Sequence, residues 1–448
     1  MATRMFSAAF VLILVSVTIA LPSDFKLPKL KEGGKHWALL VAGSNGWYNY
    51  RHQADICHAY QIIRSHGIPP EQIIVMMYDD IANNEENPNQ GEIINQPDGE
   101  NVYKGVAIDY RGKDVNPTTF LDVLQGNEEN VKGIGTGRVI KSQSNDNLFV
   151  NFVDHGAPGL IAFPTKFLHA VDLNIALDHM HDNNQYHQLL FYLETCESGS
   201  MFSSLLRKDY NILAMTAANS TQSSYACYFD KKLGTFLGDL FSVNWMQNSD
   251  QGNLNSETID EQFHIVRKET NRSHVMEFGD LTMNQLMLST FLGSEQDNHM
   301  VLDAPNPNLD AVPSEDVDIT IERNLYNLAK EENNQEEMKE RSAKIAAIMM
   351  KREKTDNTIK QIVSLVAGDR NFKEQNNMLM GENDLFKHDC YRPMVEYLKD
   401  SCVDLDLPSN RYSLKHLRII VNLCERPYSN DAIMDAIDKV CQPDIMLV

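Results

Sequence analysis

The sequence is poor in positive charge and has no long apolar run outside its N-terminus. Among its 448 residues, 40 Lys and Arg face 62 Asp and Glu, a net charge of −22. Such a protein repels a phosphate backbone, so we expect no nucleic-acid partner. No segment beyond the N-terminus approaches the about 18 apolar residues that a membrane span needs, so we expect no membrane association either. The remaining composition, 42% hydrophobic and 23% charged, is typical of a chain that folds in water, and its length suits a large and a smaller domain.

The apolar run at the N-terminus is typical of a secretory signal. Arg4 precedes an apolar stretch from Phe6 to Leu21, and small residues precede a cleavage site after Ala20. A membrane anchor is the alternative, but the stretch is too short for a span. In the secretory pathway Asn219 and Asn271, which begin Asn-x-Ser/Thr sequons, are expected glycosylation sites.

The seven cysteines are unevenly placed. Three lie in the long first part of the chain, and the other four crowd its C-terminal segment: Cys57, Cys196 and Cys227, then Cys390, Cys402, Cys424 and Cys441. Four cysteines in a short exported segment favour two disulfides, for which three connectivities remain open. Zinc is the alternative ligand, but the segment has no close C-x-x-C pair.

Five short apolar runs alternate with helical patterns in the first part of the chain. They are too apolar for strands with one face in water, so we predict strands buried on both faces. The runs are Trp37–Ala42, Ile73–Tyr78, Leu148–Val153, Leu189–Leu193 and Asn211–Met215. Between the first two, Ile56, Tyr60 and Ile63 have helical spacing, and Gly67 with Pro69 ends that helix. The alternation predicts an α/β fold with a mostly parallel sheet, in which sites form at the carboxyl ends of strands.

A change of composition separates a C-terminal part. Asn298–Val317 holds three prolines and four acids, which is typical of a linker. Beyond it, Glu331–Ile348 is a charged stretch with helical i,i+4 pairs, and apolar residues from Ile359 to Val366 form an amphipathic stripe. These patterns predict a small helical bundle at the C-terminus.

Two of the predicted strands end in reactive groups. One leads into Asp154-His155-Gly156, and the other leads into a turn that contains Cys196. Because the carboxyl ends of parallel strands share one edge of a sheet, His155 and Cys196 are candidates for a Cys-His dyad. The alternative is an inert buried thiol beside a structural histidine. It is disfavoured because both residues close apolar strands.

The local chemistry of this pair predicts a reactive thiol. A cysteine next to an imidazolium and at the start of a helix, here expected over Glu197–Arg207, has a lowered pKa. Gly156 and Gly199 would let backbone N–H groups approach a developing oxyanion.

Two other function classes have weaker signals. Gly133-Ile134-Gly135-Thr136-Gly137 suggests a dinucleotide-binding enzyme, but it follows no clear strand and lacks the full G-x-G-x-x-G spacing. His179-x-His181 would place its two rings on different sides of a helix. We therefore expect neither a metal nor a cofactor.

Longer segments around the candidate dyad resemble the legumain family of asparaginyl endopeptidases. These are Val41–Asp55 (VAGSNGWYNYRHQAD), Asp154-His155-Gly156, Glu194–Ser200 (ETCESGS) and Ser223–Tyr228 (SSYACY). The resemblance extends from about Gly34 to the end of the chain. It implies a caspase-like α/β fold, a mostly parallel six-stranded sheet flanked by helices, followed by a small all-α disulfide-bonded prodomain.

The resemblance implies a mechanism. The residues matching His155 and Cys196 form the dyad in this family, and the residue matching Asn49 orients the histidine. Cys196 would attack the carbonyl after an asparagine to form a thioester, His155 would protonate the leaving amine, and water would complete hydrolysis. The N–H groups of Gly156 and Cys196 would stabilise the oxyanion. An amine can also take the thioester, so a peptide ligase side activity is implied. The alternative is a catalytically inactive interaction protein of caspase-like fold.

The family's specificity pocket maps onto Arg51, His52, Glu194, Ser224 and Asp239. A primary amide has one acceptor oxygen and two N–H donors, so one guanidinium and two carboxylates would pair every group. Asparagine is thus the expected residue before the scissile bond, and aspartate is expected at low pH, where its own side chain is neutral. Without the resemblance, Arg51 and Asp239 would be interpreted as a surface ion pair.

The C-terminal part resembles the legumain prodomain, which covers the active site until it is cleaved. In that family the first C-terminal cysteine pairs with the third and the second with the fourth, which implies Cys390–Cys424 and Cys402–Cys441. The expected division is a signal peptide over 1–20, a catalytic domain over 21–293, a linker or activation peptide over 294–342 and a helical prodomain over 343–448.

Several further residues and partners follow from the resemblance. The connecting segment is expected to present an asparagine to the pocket, with Asn327 as first choice and Asn324, Asn333 and Asn334 as alternatives. Asp154 matches a family aspartate that can cyclise to a succinimide. Expected partners are protein and peptide substrates, the chain's own prodomain as inhibitor, and cystatin-type inhibitors. The expected location is the secretory pathway, ending in a lysosome-like acidic compartment or outside the cell, with acid weakening the docking of the prodomain by protonating carboxylates.

Overall fold

The computed structural model describes residues 31, 33–295, 304–368 and 371–442. The predicted signal peptide, residues 1–20, lies outside these ranges. We call residues 33–295 the sheet part, 304–334 the connecting segment and 335–442 the helical part. Within the described ranges, no helix is both long and apolar enough to cross a membrane.

The strands are short and mostly buried, and the helices flank them or form the helical part. In chain order the strands are β1 His36–Ala42, β2 Ile73–Met77, β3 Asn147–Val153, β4 His155–Ala157, β5 Leu160–Ala162, β6 Phe167–His169, β7 Gln188–Glu194, β8 Ile212–Thr216, β9 Tyr225–Asp230, β10 Thr235–Asp239, β11 Met276–Gly279 and β12 Val312–Pro313. The α-helices are α1 Tyr50–Ser65, α2 Pro117–Leu124, α3 Ala170–Asp182, α4 Leu240–Gln251, α5 Ile259–Glu269, α6 Ser289–Leu292, α7 Val317–Glu331, α8 Gln335–Ala367, α9 Phe372–Met380, α10 His388–Ser401, α11 Arg411–Lys415, α12 Arg418–Cys424 and α13 Asn430–Cys441.

Six strands form the central sheet in the order β11-β8-β7-β3-β1-β2. All neighbours run parallel except β11, which is antiparallel to β8. Alternate residues of β1 enter two separate hydrophobic clusters: Leu40 and Ala42 pack with α1 and α4, whereas Leu39 and Val41 pack with α2 and α3. Both faces are therefore covered, as expected for strands this apolar. The prediction of a mostly parallel α/β sheet is confirmed, and each predicted strand lies within one residue of its observed bounds.

The sixth strand, β11, carries no such sequence signal. Its four residues, MEFG, include an acid and a glycine, and three of the four are only half-buried. It lies at an edge of the sheet, where a strand has one neighbour and needs less apolar surface. A search for continuous apolar runs therefore does not find it.

The helical part packs around a hydrophobic core of its own. Cys390 is bonded to Cys424 and Cys402 to Cys441, the pairing that the resemblance implies, so these thiols are not zinc ligands. Residues from Ile359 to Val363 on α8 face this core, as the amphipathic stripe predicts. Apolar side chains of β4–β6 belong to the same core, so the sheet part and the helical part share an apolar interface: Ala157, Leu160, Ala162 and Phe167.

The charged stretch over 331–348 is helical from Gln335 onward, and two asparagines separate it from the helix before it. α7 ends at Glu331 and α8 begins at Gln335. Between them Asn333 has a φ of 58°, a left-handed conformation that asparagine tolerates better than most residues. The Asn334 side chain then accepts a hydrogen bond from a backbone N–H of the first turn of α8 and caps that helix.

Candidate active site

The carboxyl ends of β3 and β7 bring the two residues of the predicted dyad together. These strands are parallel neighbours with Val153 opposite Glu194, so the chain leaves both at the same edge of the sheet. Asp154 N donates to Glu194 O at 3.1 Å and holds the two exits side by side. His155 and Cys196 consequently line one narrow cleft of about 10 Å³.

Gly156 permits this close approach. A Cβ at this position would lie 2.3 Å from Cys196 O and 2.7 Å from Thr195 Oγ1, so no larger residue fits without moving the backbone. Gly199 is constrained in the same way, since a Cβ there would lie 3.0 Å from the carbonyl carbon of Asn219. Both glycines therefore allow close backbone packing around Cys196.

The predicted α-helix after Cys196, over residues 197–207, is wrong. Glu197 has a left-handed φ of 49°, and a short 3-10 turn over Ser198–Met201 follows it. Glu197 N donates to Gln222 O, and Gly199 N donates to Ala218 O. These two backbone N–H groups are therefore already hydrogen-bonded to the loop after β8, whereas the first N–H groups of a helix would be free to bind an anion. The Cys196 thiol therefore lacks the field of a long helix.

The imidazole of His155 is held through Nε2. This atom lies 2.8 Å from Asn49 Oδ1, and Asn49 is itself fixed by donating from Nδ2 to Asn45 O at 2.7 Å. Arg411 of the helical part places its Nε 3.0 Å from the same Nε2. The amide oxygen requires an N–H on the ring and the guanidinium requires a lone pair, so only one of these contacts is a hydrogen bond at any moment.

Burial disfavours charge on both members of the pair. Burial, followed by the positive charges of Arg411 and Arg51, holds the pKa of His155 well below its usual range. Burial, followed by the carboxylates of Glu197 and Glu315, raises the pKa of the Cys196 thiol well above its usual range. The expected lowered thiol pKa is therefore not present here, because a neutral imidazole and a short turn offer the thiolate no stabilising charge.

The residues predicted for the specificity pocket lie together beside this pair. Arg51 donates from Nε to Asp239 Oδ1 at 2.8 Å, and His52 Nε2 lies 3.6 Å from Asp239 Oδ2. Arg51 is 0% exposed and Asp239 is 1% exposed, so this is not a surface ion pair. Glu194 ends β7, and the hydroxyl of Ser224, just before β9, lies 3.8 Å from Cys196 Sγ.

Two carboxylate oxygens of this pocket lack partners. Glu194 accepts with Oε2 from the N–H and the hydroxyl of Ser242, but its Oε1 has no hydrogen-bond partner among the described residues. Asp239 Oδ2 is likewise buried without one. Because an unpaired buried acceptor costs roughly 1–3 kcal/mol, such a pair of acceptors is typical of a site that a donor-bearing ligand completes.

The connecting segment occupies the pocket entrance in the manner of a bound strand. β12 pairs antiparallel with β9, and Ser314 N donates to Ser224 O at 2.9 Å. Ser314 Oγ accepts from Arg51 Nη2 at 2.8 Å. The hydroxyl oxygen thus stands where an acceptor of a bound side chain could sit.

The residue presented to the pocket is a serine and not the expected asparagine. Asn324 and Asn327 lie on α7, beyond the short strand that fixes Ser314 against Arg51, and the Asn327 side chain is exposed. Asn333 and Asn334 lie farther still along the chain, between α7 and α8. The expectation that one of these asparagines fills the pocket is therefore wrong for this structure, because β12 pairing fixes which residue reaches Arg51.

The other predicted site residues have varied surroundings. Asp154 accepts with Oδ1 from His155 N at 2.7 Å, while its Oδ2 is buried without a partner among the described residues. Burial raises the pKa of this carboxyl well above its usual range. Of the two sequon asparagines, Asn271 is exposed, whereas Asn219 is half-buried.

One group of side chains near the dyad has the spacing of metal ligands. Single ligand atoms of His52, Asp154 and His155 lie within 4.8 Å of one another. Arg51 and Arg411 face the same region, and two positive charges oppose a cation there.

Comparison with known proteins identifies the family. Residues 36–294 match the Peptidase C13 family, and residues 343–441 match the legumain prodomain. The chain belongs to the peptidase C13 family. It is 46% identical to legumain of Rattus norvegicus over 413 residues, covering 92% of this chain and 93% of the relative. It is 40% identical to the vacuolar-processing enzyme delta-isozyme of Arabidopsis thaliana, covering 91% and 90%. Caspase-1 from Spodoptera frugiperda, a solved structure, is 12% identical with a TM-score of 0.36 and covers 63% of this chain and 99% of that one.

The chain is therefore a cysteine peptidase that carries a prodomain, and we set aside the interaction-protein alternative. The prodomain contributes residues to the catalytic cleft that sequence patterns did not indicate. Arg411, Leu414 and Lys415 line the cleft together with Glu315 of the connecting segment. No sequence motif indicates these residues, because they line the cleft only when α11 docks against the sheet part.

Other polar contacts also join the prodomain to the sheet part. Arg392 pairs with Asp172 at 2.7 Å, and Arg418 donates to Ser220 O. His169 Nε2 lies 3.0 Å from Glu396 Oε1. These polar contacts add to the apolar interface with β4–β6.

We expect Arg411→Met to make Cys196 more reactive in the uncleaved chain. Removing the cation at His155 raises the pKa of the imidazole, and an imidazolium stabilises the thiolate. Alkylation of Cys196 by iodoacetamide at neutral pH should become about tenfold faster, the effect of about one pKa unit. The site of labelling is checked by mass spectrometry, with Cys196→Ala as blank.

Lys415→Met is the matched control, because Lys415 lines the same cleft while its ammonium lies over the ring of Tyr412, 3.9 Å from the centroid. It should leave the alkylation rate near that of the parent chain. Equal rates in both variants would mean that Arg411 acts only as a lid.

Proposed function

We propose that this chain is an endopeptidase that cleaves after asparagine through a Cys196-His155 dyad, as an acid-activated zymogen. The single observation that carries the proposal is the pair of unpartnered acceptors, Glu194 Oε1 and Asp239 Oδ2, beside the Arg51 guanidinium. An asparagine side chain offers two N–H donors and one acceptor oxygen, which would satisfy all three groups. Ser314 Oγ takes the place of that acceptor oxygen in the covered protein.

The mechanism follows from the way Asn49 holds the histidine. Once Arg411 no longer contacts Nε2, Asn49 Oδ1 can accept from an Nε2–H of His155, which leaves the free lone pair of the neutral ring on Nδ1. With Arg411 withdrawn, Nδ1 takes the Cys196 proton, and the thiolate attacks the carbonyl carbon. His155 then gives that proton to the leaving amine, and water hydrolyses the thioester. The N–H groups of Gly156 and Cys196 are proposed to bind the oxyanion.

Aspartate is proposed as a second substrate residue at low pH. Burial, followed by the negative charge of Asp239, raises the pKa of Glu194 well above its usual range. An ionised aspartate would add a further negative charge to this pocket, whereas a protonated aspartic acid brings one O–H donor and one acceptor oxygen. Turnover of aspartate peptides should therefore increase as the substrate side chain becomes protonated.

Other activities rest on the same intermediate and residues. An amine that enters before water would give peptide ligation. Asp154 has the backbone N–H of His155 2.7 Å from Oδ1, the neighbouring groups that form a five-membered succinimide when the carboxyl is neutral. Asn327, followed by Asn324, remains the proposed processing position, and Asn327 is exposed on α7.

The proposed setting is an acidic compartment of the secretory pathway or a secreted fluid. A relative at 40% identity is named a vacuolar-processing enzyme, and the two disulfides fit an exported chain. Protein and peptide substrates, the prodomain and cystatin-type inhibitors are the proposed partners. Asn219 and Asn271 remain proposed glycosylation sites.

Matched peptides test the specificity directly. We expect the acid-activated protein to cleave a peptide with asparagine before the scissile bond much faster than the same peptide with aspartate or glutamine at mildly acidic pH. Chromatography of the products measures the three rates. Cys196→Ala should abolish turnover of all three peptides. Turnover retained by that variant would remove Cys196 as the nucleophile.

Glu194→Gln should reverse the charge preference of the pocket. The glutamine oxygen can keep the bonds to Ser242, which turns its NH2 donors towards the substrate amide. The NH2 group of the introduced glutamine then faces the NH2 group of the substrate asparagine, so we expect kcat/KM for the asparagine peptide to fall by about 100-fold, a cost of about 3 kcal/mol. The aspartate peptide, whose side chain offers acceptor oxygens to that NH2 group, should become the better substrate. Glu277→Gln, a half-buried carboxyl outside the pocket, is the control. An unchanged ratio would contradict the assigned role of Glu194.

Two carboxyl groups act in opposite directions on the pH dependence of docking. The hydrogen bond to His169, more than the neighbouring Lys399, lowers the pKa of Glu396 to about 2 from an ordinary 4.5. Its contribution to docking is thus complete above about pH 4.5 and is lost as the pH falls towards 2. Burial raises the pKa of Glu197 to about 8, so its effect favours the covered state at acidic pH and weakens as the pH rises from 4.5 to 8. Acid release therefore requires paired carboxylates such as Glu396 to outweigh Glu197.

Glu396→Gln should shift prodomain release to higher pH. The variant keeps a neutral hydrogen bond to His169 but loses the charge that docking stabilises. We expect half-maximal activation after a fixed incubation to move upward by about half a pH unit or more, measured by peptide turnover. Asp400→Asn, an exposed neighbour 75% accessible, should leave the profile unchanged. A variant that still needs the same acidity would show that Glu396 plays no part in release.

A further inference from the structure

A second cavity lies beside the later turns of α1. It has a volume of about 350 Å³ and is lined by α1, by α4 and by the loop that includes residues 95–104. His58 and Asp250 lie on its wall, with side chains 15% and 29% exposed. The catalytic dyad does not line it.

A chain of hydrogen bonds runs inward from this cavity. His58 Nε2 lies 2.9 Å from Asp250 Oδ2, and its Nδ1 lies 2.8 Å from Asn95 Oδ1. Asn95 Nδ2 donates to Asp55 Oδ1 at 2.7 Å and to Leu237 O at 2.9 Å. Both ring nitrogens of His58 thus face acceptors, an arrangement that a doubly protonated ring satisfies.

The inner end of the chain is the wall of the specificity pocket. The carboxylate of Asp55 accepts from the backbone N–H of Asp239 at 3.3 and 3.4 Å. The side chain of the same Asp239 holds Arg51 and carries the unpartnered acceptor Oδ2. Asp55 is fully buried, so nothing from solvent can replace this contact.

The packing around Asp55 leaves little freedom. A Cβ at Gly238 would lie 2.5 Å from Val243, 3.1 Å from Asn95 Nδ2 and 3.3 Å from Asp55 Oδ1. A rotation of the Asn95 amide would also break its bond to Leu237 O in the strand that carries Asp239. A change at His58 therefore reaches the backbone of β10 through two bonded neighbours.

We propose that Asp55, held by Asn95 and His58, is a positioning residue that sets the Asp239 wall of the asparagine pocket, and that the proton on His58 controls how firmly that wall is held. This rests on the proposed function, in which Asp239 accepts from the substrate amide. Asp55 touches neither substrate nor the reacting atoms. It acts through the backbone of Asp239.

The charged surroundings of His58 determine the direction of the effect. Asp250 on α4 bonds the ring, while Glu100 and Lys104 of the loop line the same cavity and Asp55 lies one helical turn earlier on α1. Burial alone would lower the pKa of His58, but the Asp250 carboxylate raises it above its ordinary value. His58 is therefore charged at acidic pH and loses its proton as the pH rises through this raised pKa.

A neutral ring has one N–H for two acceptors. The charged Asp250 makes the stronger hydrogen bond, so the bond to Asn95 is lost. The Asn95 amide oxygen then faces a lone pair, so the amide is held only through Nδ2 and the contact with Asp55 is less firmly fixed. We expect the pocket to bind substrate less well as the pH rises, seen as an increase in KM for the asparagine peptide with kcat little changed.

The test compares the pH dependence of KM in the mature enzyme obtained from the full chain. In the parent enzyme KM for the asparagine peptide should rise about tenfold across the titration of His58, the effect of losing one charge-assisted bond. His58→Gln should have a raised KM at acidic pH and no such step. Asp250→Asn should move the step to lower pH, because the partner that raises the pKa is gone. Glu100→Gln, which removes a charge from the same cavity but not from the chain, should behave like the parent.

Asp55→Asn separates positioning from folding. It keeps the shape and an acceptor for Asp239 N, so the thermal midpoint should change little, whereas the step in KM should be reduced. A profile in Asp250→Asn and His58→Gln that matches the parent would overturn the proposal while leaving asparagine specificity intact. A parent enzyme without preference for asparagine would instead refute the proposed function, so the two failures are distinguishable.

Discussion

The parallel pairing of β3 with β7 is the constraint on which the rest of the site depends. Its register sets Val153 opposite Glu194, the last residue of β7. Asp154 and His155 follow Val153 directly, so they leave the sheet beside Cys196, which lies two residues after Glu194. A slip of one residue would turn each strand's side chains to the other face. The buried faces forbid such a slip, because both hydrophobic clusters would then receive the wrong residues. Catalytic geometry is thus fixed by ordinary core packing.

Charge imbalance is the second property of the site. Three carboxyl groups, those of Asp55, Glu194 and Asp239, are buried here, and the guanidinium of Arg51 pairs with only one of them, Asp239. Burial raises the pKa of each, so the pocket is stable only where protons or hydrogen-bond donors relieve the excess acceptors. A neutral amide with two donors relieves it without bringing charge. The cost of leaving Glu194 and Asp239 partly unpaired is therefore the physical origin of the proposed selectivity.

The sequence predicts the parts of this site that depend on local pattern. Apolar runs locate the strands, and strand ends locate His155 and Cys196. Arg51 and Asp239 are 188 positions apart and neither has a local signal, so only the family resemblance joined them. Ser314 and Arg411 could not be found at all, because their roles arise when the connecting segment and α11 dock on the sheet part. Asn95 lies in an irregular loop without periodicity, and its role becomes visible only when His58 and Asp55 appear on either side of it.

In the proposed zymogen, the docked prodomain suppresses activity by electrostatic effects as well as by steric exclusion of substrate. A lid alone would exclude substrate but could leave a reactive thiolate beneath it. Here burial, followed by the guanidinium of Arg411, lowers the pKa of the His155 imidazole, while burial raises the pKa of the Cys196 thiol. In the proposed mechanism, withdrawal of the prodomain removes this cation and admits water to both groups, whereas Arg51 is freed from Ser314 only when the connecting segment also leaves. In this proposal the prodomain suppresses the dyad, and the connecting segment occupies the pocket, so two adjacent segments of one chain act on the two parts of the site.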